Sequence, residues 1–596
     1  MEGESGSFLG VTRSVSGRKW RARAADPDLV KAHQSHLGLA EPLARALASR
    51  GVAAGDGATF LTPTLKALFP DPSSFADMDR AASLILDALV ASRPITVFAD
   101  YDVDGASSAA LLVRWLRGMD AEPNLYVPDR MTEGFGPTPA AFRRIRDGGA
   151  ELVVTVDCGA AAHDALSSAA DIGLRVVVID HHLMQRLPAG AAALVNPNRP
   201  DCCSGQGMLA AAGVTFVLLA ALNREARKRG LFASRPEPDI LNWLDLAALG
   251  AICDVTPLAG FNRALVAQGL KVMSRWENPG LSALLEAAGV EVRTAGVFEA
   301  GFILGPRINA GGRIGRSDLG ATLLSTDDPM EAGALARELN RLNEERRSLE
   351  AQIVEEAIAS LEREGNLGLD APALVVAREG WHPGVVGIVA SRLRERYRRT
   401  TVVLGIDPIS GIAKGSGRSQ PGVNLGSAIH EAFDAGLLMA GGGHAMAAGL
   451  TLRAGMIPEV REFLCERLSE QARTAAEVDA VEIDALTSPG AAADALNIFS
   501  GLAPFGPGNP EPVLAMASVR IEHAEPVRGG HIRCRLAGLG GQGLKAIAWR
   551  ASDSPLGRRL LAGGAAVHVA GRLKPDEWRG RRDVQMEIDD IAEPRR

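Results

Sequence analysis

The sequence predicts a multidomain α/β protein whose largest domain is built on a doubly wound parallel sheet. Three observations carry this reading. The chain has 596 residues, too many for one hydrophobic core and enough for several. Short, largely apolar runs at Ile95–Ala99, Leu152–Val156 and Leu174–Ile179 are separated by helical segments, the pattern of parallel strands buried on both faces. Each run then ends in chemistry-bearing side chains, at the sheet edge where doubly wound folds gather ligands.

Composition narrows the class. A hydrophobic content of 46% with 23% charged residues is ordinary for a globular protein, and no apolar run approaches the ~20 residues of a membrane span. The N-terminus carries Glu2 and Glu4 and no apolar signal segment, so a cytoplasmic protein without a membrane is expected. Six cysteines form no CxxC pair and fit a reducing compartment; adjacent Cys202 and Cys203 receive no role. A net charge of -7 argues against a uniformly basic nucleic-acid coat, although acids gathered in one site would mask local basicity.

In chain order, residues 1–25 are rich in Gly, Ser and Arg and read as a mobile arm. Apolar residues at helical spacing predict helices from Asp28 to about Ala48 and from Met78 to Ser92. The first strand runs into Asp100, Asp102 and Asp104, followed by Gly105. Acids at alternate positions repel one another, and either a divalent cation or a capped acidic turn before a helix would relieve this. The second strand ends in Asp157-Cys158-Gly159 and the third in Asp180-His181-His182, while Asp254 stands where a helical pattern from Ile240 breaks at Pro257. Singly, Asp157 reads as a helix cap and His182 as a structural histidine. Together they form a carboxylate and imidazole set that suits manganese or magnesium, the imidazole favouring manganese; Cys158 alone is too little thiolate for structural zinc.

Further on, Gly305–Arg313 reads as a glycine-rich turn in which Gly311 and Gly312 would admit a phosphate backbone. Residues 328–366 are helix-forming throughout, one connecting helix of about 50 Å, with a coiled-coil dimer as the alternative although no clean heptad is kept. Strand-like runs Ala373–Ala377 and Thr401–Gly405 flank Trp381-His382-Pro383 and precede glycine-rich Gly415–Ser419 and Gly441–Gly449. From about Ala491 short alternating strands follow, and Val513–Arg596 holds 15 Lys or Arg against 10 Asp or Glu. Short strands with local basicity suggest an OB-type β-barrel that tracks a single strand of nucleic acid. Trp549, Trp578 and His531 are stacking candidates there, with core packing the alternative for the tryptophans; at 4% aromatic residues, backbone contacts should dominate the grip.

Asp100–Gly105, Val156–Gly159, Asp180-His181-His182 and Gly250–Pro257 resemble, in order and spacing, the motifs of the DHH phosphoesterase superfamily, and the length and later segments resemble its RecJ branch. The resemblance implies a mobile arm (1–25), a DHH catalytic domain (26–327), the connecting helix (328–366), a DHHA1 domain (367–475) and an OB-type nucleic-acid-binding domain (476–596). It implies two divalent ions, Mn2+ or Mg2+, with Asp100, Asp102 and Asp157 on one, Asp104, Asp157, His181 and Asp254 on the other, and Asp157 bridging. His182 would stand beside the scissile phosphate and Asp180 would orient the histidine pair. Arg307, Asn309, Ser416, Arg418 and His444 would hold substrate phosphates. The implied activity is 5′-to-3′ hydrolysis of single-stranded DNA to mononucleotides in recombination and repair, by a monomer working with a single-strand-binding protein and a helicase. A phosphodiesterase of short oligonucleotides and a non-catalytic replication scaffold are the alternatives. One departure is Glu133-Gly134-Phe135-Gly136, where the family commonly carries Tyr, so the ring is kept and a hydroxyl contact is lost.

Overall fold

Valine-rich segments with no charge in their interiors form the strands of the first domain, and the helices between them cover both faces. The structure, a computed structural model, describes residues 6–130, 132–291, 294–363, 371–538, 540–578 and 581–594. Its central sheet is parallel and five-stranded, in the order Asn124–Tyr126, Ile95–Ala99, Leu152–Val156, Arg175–Ile179, Ala193–Val195. Alternation along the strands splits their side chains between two cores. Val97, Ala99, Val154, Val156, Val177 and Ile179 pack with helices Met78–Val90, Val103–Gly118 and Ala211–Lys228. Phe98, Val153, Val176 and Val178 pack with Pro139–Asp147 and His163–Asp171. The strand order reverses direction between Ile95–Ala99 and Leu152–Val156, which opens a crevice at their carboxyl ends.

Two expectations near the N-terminus change. The helix from Asp28 to Ala48 is two helices, Pro27–Leu37 and Glu41–Ala48, because Gly38 adopts φ 64° and closes the first. The described part of the 1–25 arm is held in place: Lys19–Ala22 pairs in parallel with Ala480–Ile483, and fully buried Trp20 donates from Nε1 to Asp590 Oδ2 at 3.0 Å. Phe8 and Val11 join the same small core as Ala515 and Ala570. Burial against a segment more than 450 residues away leaves no local periodicity to read.

The connecting helix runs Pro329–Arg363, and residues 364–370 lie outside the described ones. Its first half packs Leu339 and Leu342 into the core of the first domain, while Ile353, Ala357 and Leu361 pack with Val385, Val389 and Leu393 of the next domain. Both partners belong to its own chain, so its apolar stripe serves to join two lobes. Between these contacts Glu350 accepts from Arg346 at 3.3 Å and from Arg392 Nε at 2.8 Å, an ion network spanning the joint.

The second lobe carries a mixed five-stranded sheet in the order Ala440–His444, Ala447–Arg453, Ile412–Arg418, Thr400–Ile406, Ala373–Glu379. The C-terminal strands close on themselves: Leu514–Val527 pairs with both His531–Ala537 and Val567–Trp578, and Gly543–Ala548 and Arg581–Ala592 complete a five-stranded barrel. No helix among the described residues is long and apolar enough to cross a membrane.

Candidate metal centre

The crevice gathers the acids that the strand ends supply. Asp102 caps the Val103–Gly118 helix, its Oδ1 accepting from Asp104 N at 2.9 Å and Gly105 N at 3.0 Å. The capped-turn reading therefore holds for this one acid, and it leaves Asp100 unexplained: Asp100 is buried and its Oδ1 has no hydrogen-bond partner. Asp104, also buried, accepts from Ala211 N at 2.7 Å and Ala212 N at 2.9 Å, the first N–H groups of a helix, which helps to offset its burial. Asp157 sits at φ 61°, a left-handed conformation that aspartate tolerates better than most residues and that turns its carboxylate into the crevice.

Ligand atoms of Asp100, Asp102 and Asp157 lie within 4.8 Å of one another, as do those of Asp104, His181 and Asp254. The groups meet where His181 Nε2 stands 3.3 Å from Asp157 Oδ1, 3.7 Å from Asp104 Oδ2 and 3.7 Å from Asp254 Oδ2. Burial pushes Asp100, Asp104 and Asp157 well above the usual carboxylate range and Asp254 up to about 7, neighbouring acids adding to each. Buried mutually repelling carboxylates, one oxygen of which lacks any partner, are a donor set that divalent cations fit.

The adjacent histidines are driven apart. Burial and then the charge of His182 lower His181 to about 4, leaving a neutral imidazole suited to a metal. Burial also opposes charge on His182, but the hydrogen bond and charge of Asp180 outweigh it and raise His182 to about 9. Asp180, despite burial, is held down to about 2 by the same pair. Its Oδ1 accepts from His182 Nδ1 at 2.7 Å and from His181 N and His182 N, and its Oδ2 from Ala160 N at 2.8 Å. Asp180 thus holds the His182 ring.

The expected phosphate-binding residues are distributed over the two lobes. Gly305–Ile314 is a helix, not a turn, and its glycines face inward: a Cβ on Gly312 would meet Tyr101 at 3.0 Å, and one on Gly311 would meet Leu339 at 3.3 Å. They permit close helix packing, which corrects the expectation that they admit a phosphate backbone. Arg307 donates to Asn340 Oδ1 at 2.9 Å and to Ile303 O at 2.7 Å, and its charge is opposed first by burial and then by the charges of Arg347 and Arg346; half-buried Asn309 lies on the same helix. Across the crevice, Arg418 Nη1 donates to Ser416 Oγ at 2.7 Å, and exposed His444 ends the edge strand Ala440–His444. The glycine stretches are paired strands, Gly442 opposite Gly449 and Gly449 opposite Ser416, so ladder bonding uses part of the backbone expected to bind substrate. A cleft of about 530 Å³ runs along them, lined by Arg130, Gly384, Lys414, Gly442 and Gly449.

Several further residues complete the site. Arg130 links the lobes electrostatically, its charge acting on Asp100 and Tyr101 and on Arg313, His382 and Arg418. It lies 5.2 Å over the Tyr101 ring, and exposed Phe135 stands edge-on to both Tyr101 and His182. Asn196 and Asn198, after the last strand, hold the carbonyls of His182 at 2.9 Å and His181 at 2.6 Å. An Asn-x-Asn at a strand end was the available clue. In the barrel, Trp549 is half exposed, bonded to Glu587 and edge-on to His531 at 4.7 Å; the side chain of Trp578 lies outside the described ones.

Three family models match the chain: the DHH family N-terminal domain over residues 94–251, the DHHA1 domain over 370–470 and the RecJ OB domain over 483–590. The single-stranded-DNA-specific exonuclease RecJ of Bacillus subtilis is 35% identical over 581 residues, 97% of this chain and 71% of that protein. Among solved structures, RecJ from Thermus thermophilus in complex with Mn2+ superposes with a TM-score of 0.76 at 31% identity, covering 97% of this chain and 80% of that one. The same protein in complex with Mg2+ gives 0.71 at 30% identity, covering 97% and 79%.

Proposed function

This chain belongs to the RecJ family of single-stranded-DNA-specific exonucleases, and we propose on that basis that it hydrolyses single-stranded DNA from the 5′ end to mononucleotides with two divalent cations, Mn2+ or Mg2+. The observation that carries the metal assignment is the pair of carboxylate and imidazole groups meeting at Asp157, with an unpartnered Asp100 oxygen buried beside them. In this reading Asp100, Asp102 and Asp157 hold one ion and Asp104, Asp157, His181 and Asp254 the other. Bound there, the ions would supply an activated water and charge stabilisation for an in-line displacement at phosphorus.

The protein's own part is positioning and charge. His182 stays cationic through its bond to Asp180 and offers that charge to a phosphoryl oxygen at the mouth of the crevice. Arg307, with Asn309 on its helix, and the Ser416, Arg418 and His444 group clamp phosphates from opposite lobes, and Arg130 and Arg313 add charge between them. A cleft that admits one strand and not two would account for discrimination against duplex. The closed barrel adds a tracking surface that an enzyme for short oligonucleotides does not need.

The test is digestion of one oligonucleotide, labelled at either end, with Mn2+ present. The expected result is immediate release of labelled mononucleotide from the 5′-labelled strand, a shortening ladder from the 3′-labelled strand, and little product from duplex. Equal rates on duplex, or activity retained in Asp157→Ala, would overturn the assignment.

A further inference from the structure

Asp254 differs from the other ligand acids in how it is held. Asp100, Asp102 and Asp157 follow sheet strands, and Asp104 is fixed on helix N–H groups, whereas Asp254 ends the Leu244–Cys253 helix through Asp254 N to Gly250 O at 2.9 Å. The chain after it turns outward at Val255, φ 60°, and is then gripped from another domain. Leu258 N donates to Pro507 O at 2.7 Å. A Cβ on Gly506 would meet Leu258 Cδ1 at 2.9 Å, and one on Gly508, itself at φ 74°, would meet Pro257 Cβ at 3.3 Å. Residues 502–510, which lead into the first barrel strand at Leu514, therefore rest directly on the segment behind Asp254.

Arg263 locks this contact. It is 1% exposed, its guanidinium 4.1 Å over the Phe60 ring, and it donates to Phe60 O at 3.2 Å, Pro504 O at 3.1 Å and Ala503 O at 2.9 Å. Each of these acceptors is a backbone carbonyl, and burying a guanidinium without an acid partner is expensive compared with an apolar side chain. What the fork secures is register between two domains. Asn262, one residue earlier and fully buried, ties the same helix start to Thr256 Oγ1 at 3.0 Å and Pro257 O at 2.8 Å. On the far side, Arg50 Nε donates to Asn509 Oδ1 at 2.8 Å, and Asn509 Nδ2 donates to Leu502 O at 2.7 Å and Pro504 O at 2.8 Å. The loop is braced before it touches Leu258.

We propose that Arg263 and the loop 502–510 form a positioning device through which the seated barrel holds Asp254 at the metal centre, so that the affinity of the second cation depends on the docking of the C-terminal domain. This rests on the reading of Asp254 as a metal ligand. Arg263 touches neither metal nor substrate in it and acts only through the 254–262 segment.

The experiment uses the full chain, stripped of metal and titrated with Mn2+ by calorimetry and by electron paramagnetic resonance. Arg263→Lys should weaken the second Mn2+ by about 10–100-fold, leave the first within about twofold, replace the spin-coupled two-manganese signal by that of isolated Mn2+, and lower kcat with KM for single-stranded DNA unchanged. Trp20→Phe, which removes the bond to Asp590 and leaves every contact of Arg263 and the loop 502–510 in place, should lower the melting temperature and keep both coupled ions. Two coupled Mn2+ at wild-type affinity in folded Arg263→Lys would overturn the proposal. Should that variant not fold, Gly508→Ala, which presses on Pro257, is judged by the same outcomes. Fewer than two Mn2+ on the wild-type chain would instead overturn the metal reading beneath it.

Discussion

Two neighbouring histidines with opposite protonation define the chemistry at the residue scale. His181 is neutral because it is buried, and His182 is cationic because Asp180 bonds its Nδ1. Asp180→Asn removes the charge that keeps His182 protonated while sparing the ligand oxygens. Turnover should fall about 10–100-fold with Mn2+ stoichiometry unchanged, which single-turnover kinetics and calorimetry would separate. Proton competition gives a second expectation. Asp254 is raised to about 7, first by burial and then by Asp102. Below that pH a proton competes with the metal, so Mn2+ affinity should climb from pH 6 to 8. The sign for folding is the reverse: a carboxylate whose folded pKa is raised stabilises the metal-free chain at low pH, and that contribution is lost as pH rises through 7. Metal-stripped protein should therefore lose melting temperature from this group between pH 4 and 8, and Mn2+ should restore it. The candidate ligands Asp100, Asp102, Asp157 and His181 were legible because strand ends announce themselves, and Asp254 because a helical pattern breaks at Pro257. Arg130, Arg313 and Tyr101 were not, since each is one residue on a different element and only the tertiary fold brings them together.

At the scale of elements, glycine does two jobs that sequence does not distinguish. Gly250 lies where two helices press on Asp104: a Cβ there would fall 2.6 Å from Asp104 Oδ1 and 2.5 Å from Ala212 Cβ. Gly250→Ala should cost about 1–3 kcal/mol of stability by overpacking and, by displacing Asp104, lose Mn2+ affinity; thermal melts with and without metal would show both. Gly449 is the opposite case. Nothing lies within 4 Å of its missing Cβ, and it lines the cleft opposite Gly442. Gly449→Ala should leave the melting temperature unchanged and raise KM for single-stranded DNA, as steady-state kinetics would report. The strands, the connecting helix and the barrel were readable because periodicity of 2 or 3.6 is a local property. The short strands Asn124–Tyr126 and Ala193–Val195 escaped, at three residues each, and Gly305–Ile314 looked like a turn because glycines that serve helix packing read as breakers.

For the whole molecule the question is whether the barrel is an appendage or part of the enzyme. A chain ordered as catalytic domain, helix, second lobe and barrel suggests an appended module whose loss would cost only substrate affinity. The contacts argue otherwise. Trp20 is buried against barrel residue Asp590, Arg23 pairs with Asp484 at 3.1 Å, and Arg50 and Arg263, whose side chains are buried, spend their hydrogen bonds on the loop before the barrel. Removing residues 479–596 would leave two buried guanidiniums short of acceptors and Trp20 open to water, and unpaired buried charge is among the costliest defects a fold can carry. The truncated chain should thus melt well below the full protein and bind less Mn2+, not merely bind DNA more weakly. Calorimetric melts with metal titrations on both chains decide it: a truncated protein with full melting temperature and two Mn2+ would make the barrel an appendage after all.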